Sequence, residues 1–126
     1  MNRPHQIAPE LTQRLSPLAE AYLRTVNAGE SEGYYKLFAQ DATVDDNGRA
    51  IDGLDVVKAW ADHDIFAANV RLELLDVAGR DGAIVLVTKV DGDFDRTGLP
   101  DPVVIEHEIR TTGEKITRLV CRLTNA

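Results

Sequence analysis

The sequence predicts a single α+β domain in which helices come first and an antiparallel sheet last. Three observations carry that expectation. Apolar residues recur at three- and four-residue steps in the N-terminal half, the period of a helix face, whereas from about residue 70 they alternate one by one, the period of a strand. The strand segments follow one another directly instead of alternating with helices, which argues against a parallel, doubly wound fold. Finally, 126 residues of which 44% are hydrophobic suffice for one core and not for two. Residues 1–126 are therefore read as one domain, with residues 1–10 (MNRPHQIAPE) as a flexible arm.

Leu11, Leu15, Leu18, Tyr22 and Val26 share one helical face, and Gly29 stands where a helix ends. Pro17 interrupts that stripe, because it has no N–H for an interior helix bond. A short leading turn followed by a main helix over 17–28, with Ser16 as cap and Pro17 at the first position, resolves the conflict. Ser31 is placed to cap a second short helix that carries Tyr34, Tyr35, Leu37 and Phe38 and ends before Asp41. Residues 42–46 (ATVDD) then read as a strand, Asn47-Gly48 as a tight turn and residues 49–52 as the return strand. Gly53 opens a third helix whose inward face is Val56, Val57, Trp60, Ala61 and Asp64. Four strands complete the chain: one around Val70, Leu72 and Leu74, then 83–90, 102–111 and 116–124, the last two joined by Thr112-Gly113-Glu114.

Alternation sets the faces of the last two strands. Ile105, His107 and Ile109 fall on the inner face and Val104, Glu106, Glu108 and Arg110 on the outer one; Leu119, Cys121 and Leu123 oppose Arg118, Val120 and Arg122 in the same way. Pairing His107 with Leu119 sets Glu108 opposite Arg118 and Val104 opposite Arg122. Glu106 and Glu108 then belong to an outer-face ion-pair ladder with Arg118 and Arg122, each cross-strand pair worth about 0.2–1 kcal/mol.

Charge and composition exclude several function classes. Fourteen Lys and Arg against twenty-one Asp and Glu give a net charge of −7, with no basic cluster to neutralise a phosphate backbone, so nucleic acid is not an expected partner. No apolar run approaches the length of a membrane span and the N-terminus has no apolar signal core, so the expectation is a cytoplasmic protein with no membrane contact. Cys121 is the single cysteine and has no ligand neighbour at zinc spacing. Asp62-His63-Asp64 reads as a solvated helix face, because adjacent helix residues point apart. The acidic loop from Asp91 to Gly98 lacks the closing Glu of a calcium loop and reads as a mobile lid, with Phe94 at the pocket mouth. No metal and no cofactor is expected.

Four segments taken together resemble a known family: Asn27-Ala28-Gly29-Glu30 after the first long helix, Leu37-Phe38-Ala39-Gln40-Asp41-Ala42 leading into a strand, Gly53 with Val57 and Trp60, and Gly113-Glu114-Lys115-Ile116 before the last strand. Over about Leu11 to Leu123 the chain is similar to the SnoaL-like branch of the nuclear transport factor 2-like superfamily. The resemblance implies a cone-shaped, curved antiparallel sheet wrapped round three helices, a pocket between them, and a homodimer formed through the outer sheet face. It implies no single activity, because the superfamily holds isomerases, cyclases, dehydratases, hydrolases and non-catalytic binding domains. From Glu20 to Asp46 the chain is also similar to steroid Δ-isomerases, which sets Tyr22 at the oxyanion-hole tyrosine and Asp46 at the general base. Counting on without gaps sets Glu106 at that site's third, acidic position, but alternation turns Glu106 outward and His107 inward.

The candidate catalytic residues are therefore Asp46, Tyr22 and His107. Asp46 points inward by alternation with Val44, and carboxylates in apolar surroundings make effective bases; its competing role is to bind the amides of the Asn47-Gly48 turn. Tyr22 on the buried helix face and His107 between two isoleucines are candidate donors, or else satisfied core residues. Phe38, Trp60, Phe66, Phe94, Leu119 and Cys121 are the candidate ligand-binding residues. The expected ligand is a small hydrophobic molecule, with a carboxylate removing a proton beside its carbonyl. The alternatives are a non-catalytic binding or dimerisation domain and, more narrowly, a steroid Δ-isomerase.

Overall fold

The computed structural model describes residues 14–124; Leu11 and the arm over 1–10 lie outside the described residues. Helix α1 runs over Pro17–Ala28. Ser16 accepts a hydrogen bond from the Ala19 amide at its start, and Gly29 closes it with φ +70, a left-handed conformation that costs a side-chain-free residue little. Helix α2 covers Ser31–Tyr35. It is shorter than the sequence suggests, and Ser31 is its first residue instead of its cap. Phe38 leaves the helix because the backbone is drawn into a ladder: the Ile116 amide donates to the Leu37 carbonyl, and Phe38 opens strand β1, Phe38–Asp46, four residues earlier than expected.

Strand β2, Arg49–Asp52, returns from the Asn47-Gly48 turn. Helix α3, Leu54–Ala61, buries Val57, Trp60 and Ala61 at i, i+3 and i+4. Val56 was expected on that face, but one residue is a rotation of roughly 100°, and it is 52% exposed. The chain continues as a π-helical turn over Asp62–Phe66, widened so that the Ala67 amide reaches the Asp62 carbonyl. Strands β3 (Arg71–Arg80), β4 (Ala83–Asp91), β5 (Val103–Thr112) and β6 (Lys115–Leu123) follow.

The six strands form one sheet in the order β2-β1-β6-β5-β4-β3. All neighbours are antiparallel except β1 and β6, which pair in parallel, so the sheet is mixed and not wholly antiparallel as expected. Register shifts in β3 between Leu74 and Asp76 and in β5 between Arg110 and Thr111 bend it. The helices cover its inner face, where Tyr22, Leu23, Val57, Leu86, Ile109 and Leu119 make the centre of the core.

The β5–β6 register differs from the expected one by two residues. His107 faces Cys121, not Leu119, and Glu106 faces Arg122. Two local features add up to that shift: the hairpin loop is two residues long, pairing Thr112 with Lys115, and the irregularity at Arg110 and Thr111 inserts one more residue. Because the shift is even, every side chain keeps its face.

Candidate functional site

A cavity of about 640 Å³ opens between the helices and the inner face of the sheet. Its apolar wall comes from Val26 on α1, Val70 beside β3, Leu72, Val90, Val103 and Ile105. Three polar residues from separate elements reach it: Tyr22 from α1, Asp46 from the end of β1 and His107 from β5. Trp60, Phe94 and Cys121 line it as well. Phe38, Phe66 and Leu119 do not. Phe38 and Phe66 pack against Tyr34 with ring centroids at 5.1 and 5.5 Å, making an aromatic cluster beside the cavity, and Leu119 is fully buried where β6 pairs with Val44 and Ile109.

At the inner end of the cavity the Tyr22 hydroxyl lies 2.8 Å from Nδ1 of His107, and the Thr88 hydroxyl lies 2.9 Å from Nε2. Burial pushes the Tyr22 phenol well above its ordinary value and holds the His107 imidazole down at about 4. At neutral pH both groups are therefore uncharged, and the imidazole has a hydroxyl on each side. Burial likewise raises the Cys121 thiol, whose Sγ lies 3.9 Å from His107 Nδ1, so it stands in the wall as a neutral thiol.

At the mouth, Asp46 Oδ2 accepts a hydrogen bond from Trp60 Nε1 at 3.0 Å and lies 3.3 Å from the Arg49 guanidinium. The turn-binding role weighed for Asp46 falls to its neighbour: Asp45 Oδ1 accepts from the Gly48 amide at 2.7 Å. Arg49 also pairs with Asp64, which in turn contacts His63 Nδ1. Burial opposes the charge on Asp64, yet hydrogen bonds from His63 and Arg49 outweigh it and lower its pKa. The expected solvated face over residues 62–64 thus holds for His63, 88% exposed at its side chain, whereas Asp64 lines the cavity, as its expected place on the inward face of the third helix implies. Among the described residues no group of three or more His, Cys, Asp or Glu is placed to hold a metal ion.

The loop after β4 is tied at its base, which was not expected of a lid. The Asp93 amide donates to the Ala68 carbonyl, Asn69 Nδ2 donates to Asp93, and Gly92 packs so closely that a Cβ there would meet the Ala68 carbonyl at 2.9 Å. Phe94 stands on this anchored loop with the Arg96 guanidinium over its ring.

No protein-family model matches the sequence, and no curated protein matches it. Solved structures do. A protein from Sinorhizobium meliloti described as a polyketide cyclase superposes with a TM-score of 0.77 at 22% identity, over 88% of this chain and 98% of that one. A nuclear transport factor 2-like protein of unknown function from Cytophaga hutchinsonii superposes with a TM-score of 0.69 at 10% identity, over 97% and 95%. The chain has the nuclear transport factor 2-like fold. Rv0760c from Mycobacterium tuberculosis, solved in complex with estradiol-17β-hemisuccinate, shares it with a TM-score of 0.71 at 21% identity, over 86% and 92%.

In this chain, sequence reasoning missed Arg49 and Thr88, and it placed Asp64 on the inward face of the third helix without giving it a part in the site. Arg49 and Asp64 come together at the rim from β2 and the π-helical turn, two elements with no local link in the sequence. Thr88 left a trace: it alternates with Leu86 and Val90 on the inner positions of β4, where a hydroxyl must find a partner.

Proposed function

We propose that the protein binds a small, hydrophobic carbonyl compound in this cavity and acts on it as an isomerase or cyclase, by proton abstraction. Asp46 is the base, its Oδ1 being the oxygen not engaged by Trp60 and Arg49 among the described residues. Tyr22, backed by His107, is the donor to the ligand oxygen. The observation that supports this reading is the convergence of one carboxylate and one neutral hydroxyl–imidazole pair on a single, otherwise apolar cavity. A neutral donor pair suits an oxygen on which negative charge develops, because it stabilises that charge without carrying one of its own in the resting site. The steroid ester held by Rv0760c brings steroids into the ligand panel, and a steroid Δ-isomerase is the narrow form of the proposal.

The experiment is turnover of any compound that binds, starting with a β,γ-unsaturated ketosteroid followed by ultraviolet absorbance. Asp46→Asn should retain binding and lose turnover by about 10²–10⁴-fold. Unchanged turnover in Asp46→Asn removes the base assignment. A second reading, a ligand-binding domain without catalysis, is favoured by the contacts that hold Asp46 between Arg49 and Trp60 as firmly as a structural residue. It expects binding by the wild type with no chemical change of any ligand. The proposal also includes a homodimer through the outer sheet face, which sedimentation equilibrium tests directly.

A further inference from the structure

Thr88 is fully buried on β4, behind His107 as seen from the cavity. Its hydroxyl is 2.9 Å from His107 Nε2 and 3.4 Å from the Ile105 carbonyl. On the other side of the ring Tyr22 is 2.8 Å from Nδ1. A neutral imidazole has one proton for two nitrogens, and each nitrogen here faces a hydroxyl, a group that both donates and accepts. The three side chains therefore have two hydrogen-bond arrangements.

In the first, Tyr22 O–H donates to Nδ1, Nε2–H donates to the Thr88 oxygen, and Thr88 O–H donates to the Ile105 carbonyl. The Tyr22 oxygen then offers lone pairs to the cavity. In the second, Thr88 O–H donates to Nε2, Nδ1–H donates to the Tyr22 oxygen, and Tyr22 O–H points to the cavity. Both arrangements hold the same number of protons and differ in which ring nitrogen carries one. Burial keeps the imidazole neutral near pH 7, which preserves the choice between them.

We propose that Tyr22, His107 and Thr88 form a reversible hydrogen-bond relay through which the cavity takes either an alcohol or a ketone at its Tyr22 end, with Thr88 as the positioning residue that keeps both arrangements open. The inference rests on the cavity being a ligand site and extends its ligand class from carbonyl compounds to ketone–alcohol and keto–enol pairs. The free protein favours the first arrangement: there His107 accepts the Tyr22 proton and the buried Tyr34 hydroxyl, which interacts with Tyr22 and has no hydrogen-bond partner of its own among the described residues, can turn its proton to the Tyr22 oxygen, whereas in the second the Tyr22 proton has only the Tyr34 oxygen to turn to and the Tyr34 proton is left unpaired. A bound ketone supplies an acceptor for the Tyr22 proton, and the reversal gives up only the long Thr88–Ile105 contact. A bound alcohol donates to the Tyr22 oxygen and leaves the first arrangement in place.

The test reads the imidazole itself. Long-range ¹H–¹⁵N correlation spectra of labelled protein distinguish a protonated from a bare ring nitrogen, and the His107 signals are those missing from His107→Asn. The relay predicts a proton on Nε2 in the free protein and with trans-decalol bound, and on Nδ1 with trans-decalone bound. Thr88→Val removes the partner of Nε2, so the proton should sit on Nδ1 already in the free variant. The variant should bind trans-decalol about tenfold more weakly relative to trans-decalone, and Thr88→Ser should restore both properties. Thr88→Ala carries the same expectations should Thr88→Val fail to fold. The relay is overturned by Nδ1 protonation in the free wild type, by an Nε2 proton that persists with trans-decalone or in Thr88→Val, or by equal weakening of the two ligands. If neither decalin binds the wild type, the ligand-site reading fails for this class, while the free-protein tautomers of wild type and Thr88→Val still decide the relay.

Discussion

His107 and Glu108 are neighbours on one strand, are almost equally buried at 5% and 7% exposure, and treat charge in opposite ways. His107 turns to the inner face, where its partners are the hydroxyls of Tyr22 and Thr88, and burial takes away its charge. Glu108 turns to the outer face, where Arg122, Arg80 and Arg110 bond it at 2.9, 3.0 and 3.0 Å and hold its carboxyl down at about 2. Low exposure alone therefore does not decide ionisation: the depth of His107 removes its charge, and the three guanidiniums on the shallower Glu108 keep its charge. The inner face is a set of neutral dipoles suited to a ligand oxygen, and the outer face is a self-satisfied ion network that also takes in Glu106 through Arg80 and Arg122.

The pH dependence of stability tests this contrast most strongly. His107 has a folded pKa of about 4 against an ordinary 6.5, so between those values the unfolded chain binds the proton and the folded one does not. Stability present above pH 6.5 should therefore be lost as pH falls to about 4, by roughly 3 kcal/mol. Urea unfolding across that window should show this slope, and His107→Asn should flatten it; an equal slope in the variant means that His107 is not held neutral. Glu108 works in a lower window. Its depressed pKa contributes stability above about 4.5 that disappears as pH falls to about 2. Glu108→Gln should cost about 1–2 kcal/mol at pH 7, from charge-assisted hydrogen bonds weakened to neutral ones, and should lose that acid dependence. Trp60→Phe removes the indole N–H that Asp46 accepts and should cost about 1 kcal/mol, measured by thermal unfolding. Arg118→Gln should be nearly silent, about 0.5 kcal/mol or less in the same assay, because its contact with Asp45 is long and exposed.

The small value expected for Arg118 shows where sequence reading stops. The ladder was expected to join Glu106 and Glu108 to Arg118 and Arg122; Arg122 is in it, but Arg118 belongs to Asp45, and Arg80 and Arg110 take its place. Alternation fixes which face a residue takes and is blind to an even shift of register, which a tight turn and one irregular residue produce here. Helix α1 was legible to the residue because its signals are local: Ser16, Pro17 and Gly29 each act on their own backbone. Phe38 was misplaced because its strand position depends on Ile116, far away in sequence. In the site, Tyr22, Asp46 and His107 were legible from periodicity and resemblance, and they do meet at one cavity. Phe38, Phe66 and Leu119 were not separable from cavity residues, since an aromatic or leucine side chain carries the same signal in a core as at a pocket wall. Arg49 acts through a tertiary contact that no spacing in the sequence encodes, and for Thr88 alternation gives the inner face but not its partner His107.

The claim at the centre of this account is that the inner-face cavity takes a ligand, and a thermal-shift screen with a blocked cavity tests it most directly. Steroids, polyketide-like phenols and terpenoid epoxides would be screened against the wild type and against Val103→Trp, which fills the apolar wall. A ligand at 100 times its Kd adds about 2.7 kcal/mol, which raises the Tm of a domain this size by several degrees. The account predicts such a rise in the wild type with at least one class and its loss in Val103→Trp. No rise with any class, or a rise that survives in Val103→Trp, would contradict it.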